Sequence, residues 1–189
     1  MRITDLYENN LEKYYYHGTS VKFDKFDPDI ASRVQKDGLL YGPGYYFTDD
    51  FSYAAKRYMG RDGGVWKVKI RDRRVLNYFK NDFSSGDINF LANKVESDSK
   101  ELIFLKYHLN ELNNFKIIIT IFEAFDFNIN KTCKFLTEIG VDALFIPEQP
   151  KKNRPEMVVV YSANSIIQPK FYSYDEILNN MKQKPRQRK

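Results

Sequence analysis

Cysteine is almost missing from this chain. Cys133 stands alone among 189 residues, which excludes a disulfide within the chain and a cysteine cage for a metal. A single thiol in a lysine-rich sequence suits a reducing compartment, so a cytoplasmic protein is expected. Histidine is scarce as well: His17 and His108 are the only two, too few for a histidine metal site, and no carboxylate spacing resembles a calcium loop. No metal is therefore expected. Apolar runs are short; the longest, Ile117 to Phe122, is broken by Thr120 and falls well below the roughly 20 residues that cross a bilayer. Met1-Arg2-Ile3-Thr4-Asp5 leads into a polar stretch rather than an apolar one, so neither a signal peptide nor a membrane partner is expected.

Other residues are plentiful. Apolar residues make up 42% of the chain, enough to fill a core, with 14 tyrosines and 15 phenylalanines beside the lone Trp66. The length suits one domain of roughly 100–200 residues. The net charge of +5 equals the five basic side chains of Lys182 to Lys189, where no acid occurs, so the rest of the chain is neutral. That tail reads either as a contact for nucleic acid or an acidic partner, or as a solvated terminus.

Local patterns place the elements. Thr4 can cap a short helix through Lys13, striped by Leu6, Tyr7 and Leu11. Tyr14-Tyr15-Tyr16 is β-prone and carries the chain into His17. Ser20 to Leu40 reads as irregular, with one helical turn near Ile30 to Val34. Tyr45-Tyr46-Phe47 is a short strand, after which Thr48 or Asp49 caps a helix from Asp50 to Met59 that Gly60 stops. Val65 to Ile70 alternates as a half-buried strand, with Trp66, Val68 and Ile70 on one face and Lys67 and Lys69 on the other. Helices are expected at Asp87 to Glu96, Lys100 to Leu112 and Asn130 to Ile139, the last closed by Gly140. Ile117 to Phe125 fits a strand or a buried helix equally. Val141 to Ile146 and Met157 to Tyr161 read as strands, and Ser173-Tyr174-Asp175-Glu176 as a capping box opening a helix toward Met181. Strands, then helices, then strands predict an α+β fold around a mainly antiparallel sheet, not a doubly wound array.

Two clusters carry the chemistry: Tyr16-His17-Gly18-Thr19-Ser20 and Gly42-Pro43-Gly44-Tyr45-Tyr46-Phe47-Thr48-Asp49-Asp50. Each is read as a strand meeting a tight turn, where a glycine without Cβ lets a flat ligand approach the backbone. Gly42-x-Gly44 is not a dinucleotide fingerprint, because Phe47 stands where a third glycine is needed and a strand follows rather than a helix. No glycine-rich loop ends in Gly-Lys-Ser/Thr, so a phosphate-binding P-loop is excluded. Glu156 precedes the apolar run Met157-Val158-Val159-Val160-Tyr161, a place from which a carboxylate can project into a cleft. Each of these residues has a plainer reading: a strand-end histidine, a core tyrosine, a loop carboxylate.

Taken together, Tyr-His-Gly-Thr-Ser at 16–20, Gly-Pro-Gly-Tyr-Tyr-Phe-Thr-Asp-Asp at 42–50 with Tyr-Ala-Ala-x-x-Tyr at 53–58, and Glu-x-Val-Val-x-Tyr at 156–161 resemble the three blocks of ADP-ribosyltransferases. The likeness is to the diphtheria-toxin and poly(ADP-ribose)-polymerase branch with its His-Tyr-Glu triad, and within it to small toxin-like enzymes and phage polyvalent-protein domains. It spans Tyr16 to about Pro169.

The resemblance implies a split antiparallel β-sheet core with flanking helices over residues 1–170; the capping box and the charge pattern add a C-terminal helix at 171–181 and a basic tail at 182–189. It implies NAD as co-substrate and transfer of single ADP-ribose groups to a macromolecular acceptor, protein or nucleic acid. His17 would bond the adenosine ribose, the Gly18 backbone would hold the nicotinamide carboxamide, and Thr19 or Ser20 would contact the carboxamide or a ribose. Gly44 and Tyr46 would line the nicotinamide site, with Tyr46 stacking on the ring and Tyr58, rivalled by Tyr53, closing the opposite face. Glu156 would be the catalytic carboxylate, acting with His17 and Tyr46. Arg154 stands where the arginine-modifying branch has Glu or Gln, which disfavours arginine as acceptor; with Lys151 and Lys152 it makes the loop before Glu156 basic. An inactive module binding NAD or a partner is the alternative. An RNA-processing phosphotransferase would need a basic pocket, for which only Arg33 and the Arg71, Arg73 and Arg74 group are at hand.

Overall fold

The computed structural model describes residues 13–26, 41–71, 74–148 and 154–183. The expected helix from Thr4 to Lys13 lies outside them up to its last residue, as do the turn near Ile30 to Val34, Lys151, Lys152 and the last six tail residues; Lys13 itself is not helical. In chain order the elements are β1 (Tyr15–Thr19), β2 (Tyr45–Thr48), α1 (Phe51–Tyr58), β3 (Gly64–Ile70), β4 (Val75–Asn77), α2 (Ser85–Ala92), α3 (Lys100–His108), α4 (Asn114–Ala124), α5 (Ile129–Glu138), β5 (Ala143–Ile146), β6 (Met157–Val160), β7 (Ile166–Ser173) and α6 (Tyr174–Gln183). The described residues are thus mixed α+β, with seven strands paired mostly antiparallel and six α-helices. They fall into two compact units, one within Met1–Lys25, Phe47–Ile70 and Ile166–Lys189, the other within Phe26–Tyr46 and Arg71–Ser165.

In the first unit β1 registers antiparallel with β3 over five pairs, Tyr15↔Val68 through Thr19↔Gly64. It registers with β2 at a single pair, Tyr16↔Thr48. β3 pairs antiparallel with β7, with a bulge between Lys67 and Lys69. The alternation of β3 is incomplete: Val65 on the lysine face is also buried, packed with Ala54 and Ala55 of α1 and Ile177 of α6, and Ile70 is only half-buried, as Lys67 and Lys69 are. The cap of α1 is Asp50, which accepts the Tyr53 backbone N–H at 3.0 Å, rather than Thr48 or Asp49. Those two are engaged elsewhere: Thr48 Oγ1 accepts the Asp50 N–H at 3.2 Å, and Asp49 pairs with Lys13 at 3.2 Å. α6 opens on the expected capping box, Ser173 N–H donating to Glu176 Oε2 at 2.7 Å and Glu176 N–H to Ser173 Oγ at 3.3 Å, and runs to Gln183 rather than Met181.

The second unit is built on β4, β5 and β6. β4 runs parallel to β5, and β5 antiparallel to β6 from Ala143↔Val160 to Ile146↔Met157. Four helices pack into its core through residues such as Ile88, Leu91, Leu102, Leu105, Phe135 and Leu136. The ambiguous run becomes a buried helix, α4: Asn113 caps it by accepting the Lys116 N–H at 2.9 Å, and Ile117, Ile118 and Ile121 are fully buried at helical spacing. Burying each of those side chains contributes roughly 1.5–3 kcal/mol, enough to override the modest helix propensity of isoleucine. α5 ends as expected at Gly140, whose φ of +81° suits glycine. Arg74 is committed to the fold, donating to the carbonyls of Ile139 at 2.8 Å and Asp82 at 2.9 Å, so it is not free for a phosphotransferase pocket.

Candidate functional site

The residues singled out by the sequence divide between the two units. In the first unit His17 occupies β1 opposite Trp66 and is half-exposed. Its ring lies 5.6 Å from that of Phe47 and 6.0 Å from that of Phe23, and Phe23 in turn stacks on Trp66 at 5.4 Å. An imidazole held among aromatic rings has few rotamers open to it. Phe47, inside the second block, and Phe23, which no motif marks, both flank the imidazole.

Gly18 points the opposite way, as alternation in a strand requires. A Cβ built there would lie 2.2 Å from the Ala54 carbonyl oxygen and 2.9 Å from Tyr58 Cβ. The space at Gly18 therefore serves the close approach of α1, not a flat ligand laid over its Cβ side. What Gly18 offers a ligand is its backbone edge. Thr19 is buried, and its hydroxyl is spent on a local turn, donating to the Val21 carbonyl at 2.7 Å and accepting the Val21 N–H at 3.3 Å. Ser20 is exposed. Tyr58, the last residue of α1, is 45% exposed, with its ring edge-on to Tyr53 at 6.1 Å. The two rival tyrosines thus form one pair. Burial, followed by the neighbouring Tyr53, raises the Tyr58 phenol above its ordinary value, so it stays protonated at neutral pH.

In the second unit Tyr46 is the one residue of β2 that is not buried. Its hydroxyl is pinned, donating to the Gly42 carbonyl and accepting the Tyr41 N–H at 3.0 Å. The ring is thereby fixed, 6.3 Å from that of Tyr41 at 34°. Gly44, at φ +135°, abuts β6: a Cβ would meet Val159 Cγ1 at 2.7 Å and the Val160 carbonyl oxygen at 2.9 Å. Here too the glycine lets protein, rather than ligand, come close on that side. Glu156 is half-buried, one residue before β6, whose four residues are all buried. Arg154 donates from Nη1 to the Tyr41 hydroxyl at 3.0 Å. That tether binds the segment before Glu156 to the segment before Tyr46, a role in addition to lending basic charge to the loop. Tyr41 escaped the sequence reading; an aromatic directly ahead of Gly42-Pro43-Gly44 is its only signal.

Among the described residues no group of three His, Cys, Asp or Glu side chains could hold a metal ion. In the first unit the His17 imidazole, the Ser20 hydroxyl and the Tyr58 ring are at least partly accessible; in the second unit the same holds for the Tyr46 ring and the Glu156 carboxylate. Comparison with protein-family models, with curated proteins and with solved structures gave no match.

Proposed function

We propose that this chain is a NAD-dependent mono-ADP-ribosyltransferase acting on a macromolecular acceptor, as a toxin-like or phage-encoded effector. The observation that carries the reading is accessibility at the motif positions of largely buried strands. Tyr46 is the accessible member of β2, Glu156 stands at the accessible head of the wholly buried β6, and His17 is half-exposed in β1. The α+β arrangement with mostly antiparallel pairing is compatible with the split sheet of that superfamily.

NAD, when bound, supplies an ADP-ribosyl group: its ribose–nicotinamide bond breaks, the electron pair leaves with nicotinamide, and the acceptor bonds to the same carbon as it gives up a proton. The Glu156 carboxylate would accept a hydrogen bond from a ribose hydroxyl and offset the positive charge that grows on the sugar. The Tyr46 face would attract a cationic ring beyond simple burial, and its pinned hydroxyl keeps that face in place. His17 would hold the adenosine ribose. With the Thr19 hydroxyl committed to Val21, Ser20 is the better placed of the two for a ribose. The Gly18 backbone and Tyr58 would complete the nicotinamide slot.

Nicotinamide release by the wild type and by Glu156→Gln tests this. The variant should retain NAD binding within a few-fold by calorimetry and lose about 10²–10³ in turnover, the range seen when one charge-stabilising group is removed. Binding by the wild type without release would favour the inactive module. Absence of NAD binding would sink both.

A further inference from the structure

Lysines stand on β3 and β7 of the first unit where a sheet ordinarily avoids them. Lys67 and Lys170 are registered partners on adjacent antiparallel strands, so their side chains share a face about 5 Å apart at Cα. Like charges directly opposite each other destabilise a sheet. Lys69 lies on the same face, about 6.6 Å further along β3. Among the described residues none of the three makes an ion pair. Glu176 feels the field of Lys170, but its carboxylate is engaged by Ser173. A lysine on the outer strand guards against strand addition, which accounts for Lys170 but not for Lys67 and Lys69 on β3.

Aromatic rings hold these cations in place. Lys67 Nζ sits 3.8 Å and Lys69 Nζ 5.2 Å from the Tyr14 ring centroid, and Lys170 Nζ 4.9 Å from that of Tyr172. Ammonium groups fixed in this way forfeit less side-chain entropy on meeting an anion. Their spread across two strands suits a chain of charges better than a point anion. Among the described residues no large apolar side chain of β3 or β7 is exposed to enter a bilayer. The basic run Lys182 to Lys189 follows in the same chain segment.

We propose that this lysine–tyrosine face of β3 and β7 binds the phosphate backbone of single-stranded nucleic acid. Charge complementarity carries the assignment, and the face works without ADP-ribosyl transfer, so its test contains no NAD. The full chain is titrated against fluorescein-labelled single-stranded RNA of about 20 nucleotides, read by anisotropy over a salt series, and compared with Lys67→Gln/Lys69→Gln/Lys170→Gln. Each phosphate contact on a single strand contributes about 0.7 to the slope of log affinity against log salt, so the triple variant should lose about 2 units of slope and about tenfold in affinity at low salt. Removing like charges should leave its melting temperature unchanged or higher, and the corresponding Lys→Arg triple should bind as the wild type does. A chain ending at Gln183 should bind more weakly overall yet keep the lysine-dependent share of the slope. RNA binding with an unaltered salt slope in the Gln triple would overturn the assignment. So would no RNA binding by the wild type, or binding to phosphatidylserine vesicles that RNA does not displace.

Discussion

One methyl group separates the glycines of this chain. At Gly18 an added Cβ collides with backbone of α1, at 2.2 Å from the Ala54 oxygen. At Gly140 the φ of +81° is strained for any other residue, yet nothing lies within 4 Å. Gly18→Ala should therefore cost about 3 kcal/mol as overpacking against an unyielding helix, and Gly140→Ala about 1 kcal/mol as backbone strain alone. Thermal melts should show a drop of roughly 6–12 °C for the first and 2–4 °C for the second; equal drops would refute the packing account of Gly18. Cys133 gives a second contrast at this scale. Burial pushes its thiol up to about 12, so the reactive thiolate is negligible at neutral pH. A disulfide reagent such as dithionitrobenzoate should leave the native protein untouched and label it rapidly in denaturant; fast labelling of the native state would contradict its burial.

Elements in the second unit depend on a few buried polar atoms. Asn114 is fully buried, and its side chain joins α4 to the turn after β4: Nδ2 donates to the Asn77 carbonyl at 2.8 Å and to Asp82 Oδ2 at 2.7 Å, while Oδ1 accepts the Asp82 N–H at 2.8 Å. Asn114→Leu would remove all three bonds, each contributing about 0.5–1.5 kcal/mol, with exposed Asp82 and half-buried Asn77 turning to water instead. A loss of about 2–4 kcal/mol by urea unfolding is expected, and a loss below about 1 kcal/mol would show that the network relaxes at little cost. The α6 capping box carries a pH signature. The Ser173 backbone and hydroxyl, with lysines nearby, hold the Glu176 carboxyl below the ordinary carboxylate range. A depressed folded value means that the cap is fully present above the unfolded value and is lost as pH falls through the folded one. Glu176→Gln should therefore flatten only the acid limb of a stability–pH curve and leave neutral-to-alkaline behaviour alone.

These same elements show what the sequence made legible. Periodicity, caps and stop signals located α1, α5, α6, β5 and β6 to within a few residues, because those signals are local. α4 was ambiguous because Ile117-Ile118-Ile119 favours a strand by propensity, whereas burial against neighbouring helices decides the outcome. β4 is three residues long and leaves too short a pattern to read. β7 is interrupted at Gln168-Pro169, with Gln168 at φ +51°, so its alternation breaks at the bulge. Within the candidate site, His17, Tyr46 and Glu156 could be named from residue type and neighbours. The Arg154–Tyr41 tether joins residues 113 positions apart, and the space at Gly18 is filled by a helix that begins 33 residues later. No local pattern records either.

At the scale of the whole chain, the first unit is assembled from three separated stretches, and the last of them closes it. β7 covers one edge of β3 along its full length, from Gly64↔Ser173 to Ile70↔Ile166. α6 brings Ile177 against Val65, Ala54 and Ala55. A chain cut after Ser165 keeps every residue of the His17, Tyr46 and Glu156 blocks, so a reading based on motifs alone would expect the proposed NAD chemistry to survive. The physical expectation is the reverse. Without β7 the β3 backbone loses its ladder partner, and without Ile177 the face shared by β3 and α1 is open to water; both losses fall on the strand that registers His17. Hydrogen exchange on the truncated chain should show amides of β1 and β3 exchanging orders of magnitude faster than in the full chain. Those of β5, β6, α4 and α5 should keep most of their protection, since their core lies wholly within the other unit. Full protection of β1 and β3 in the truncated chain would mean that the first unit does not need its C-terminal stretch. Selective loss, together with loss of the NAD binding proposed above, would tie the proposed co-substrate site to the strand pairing that positions His17.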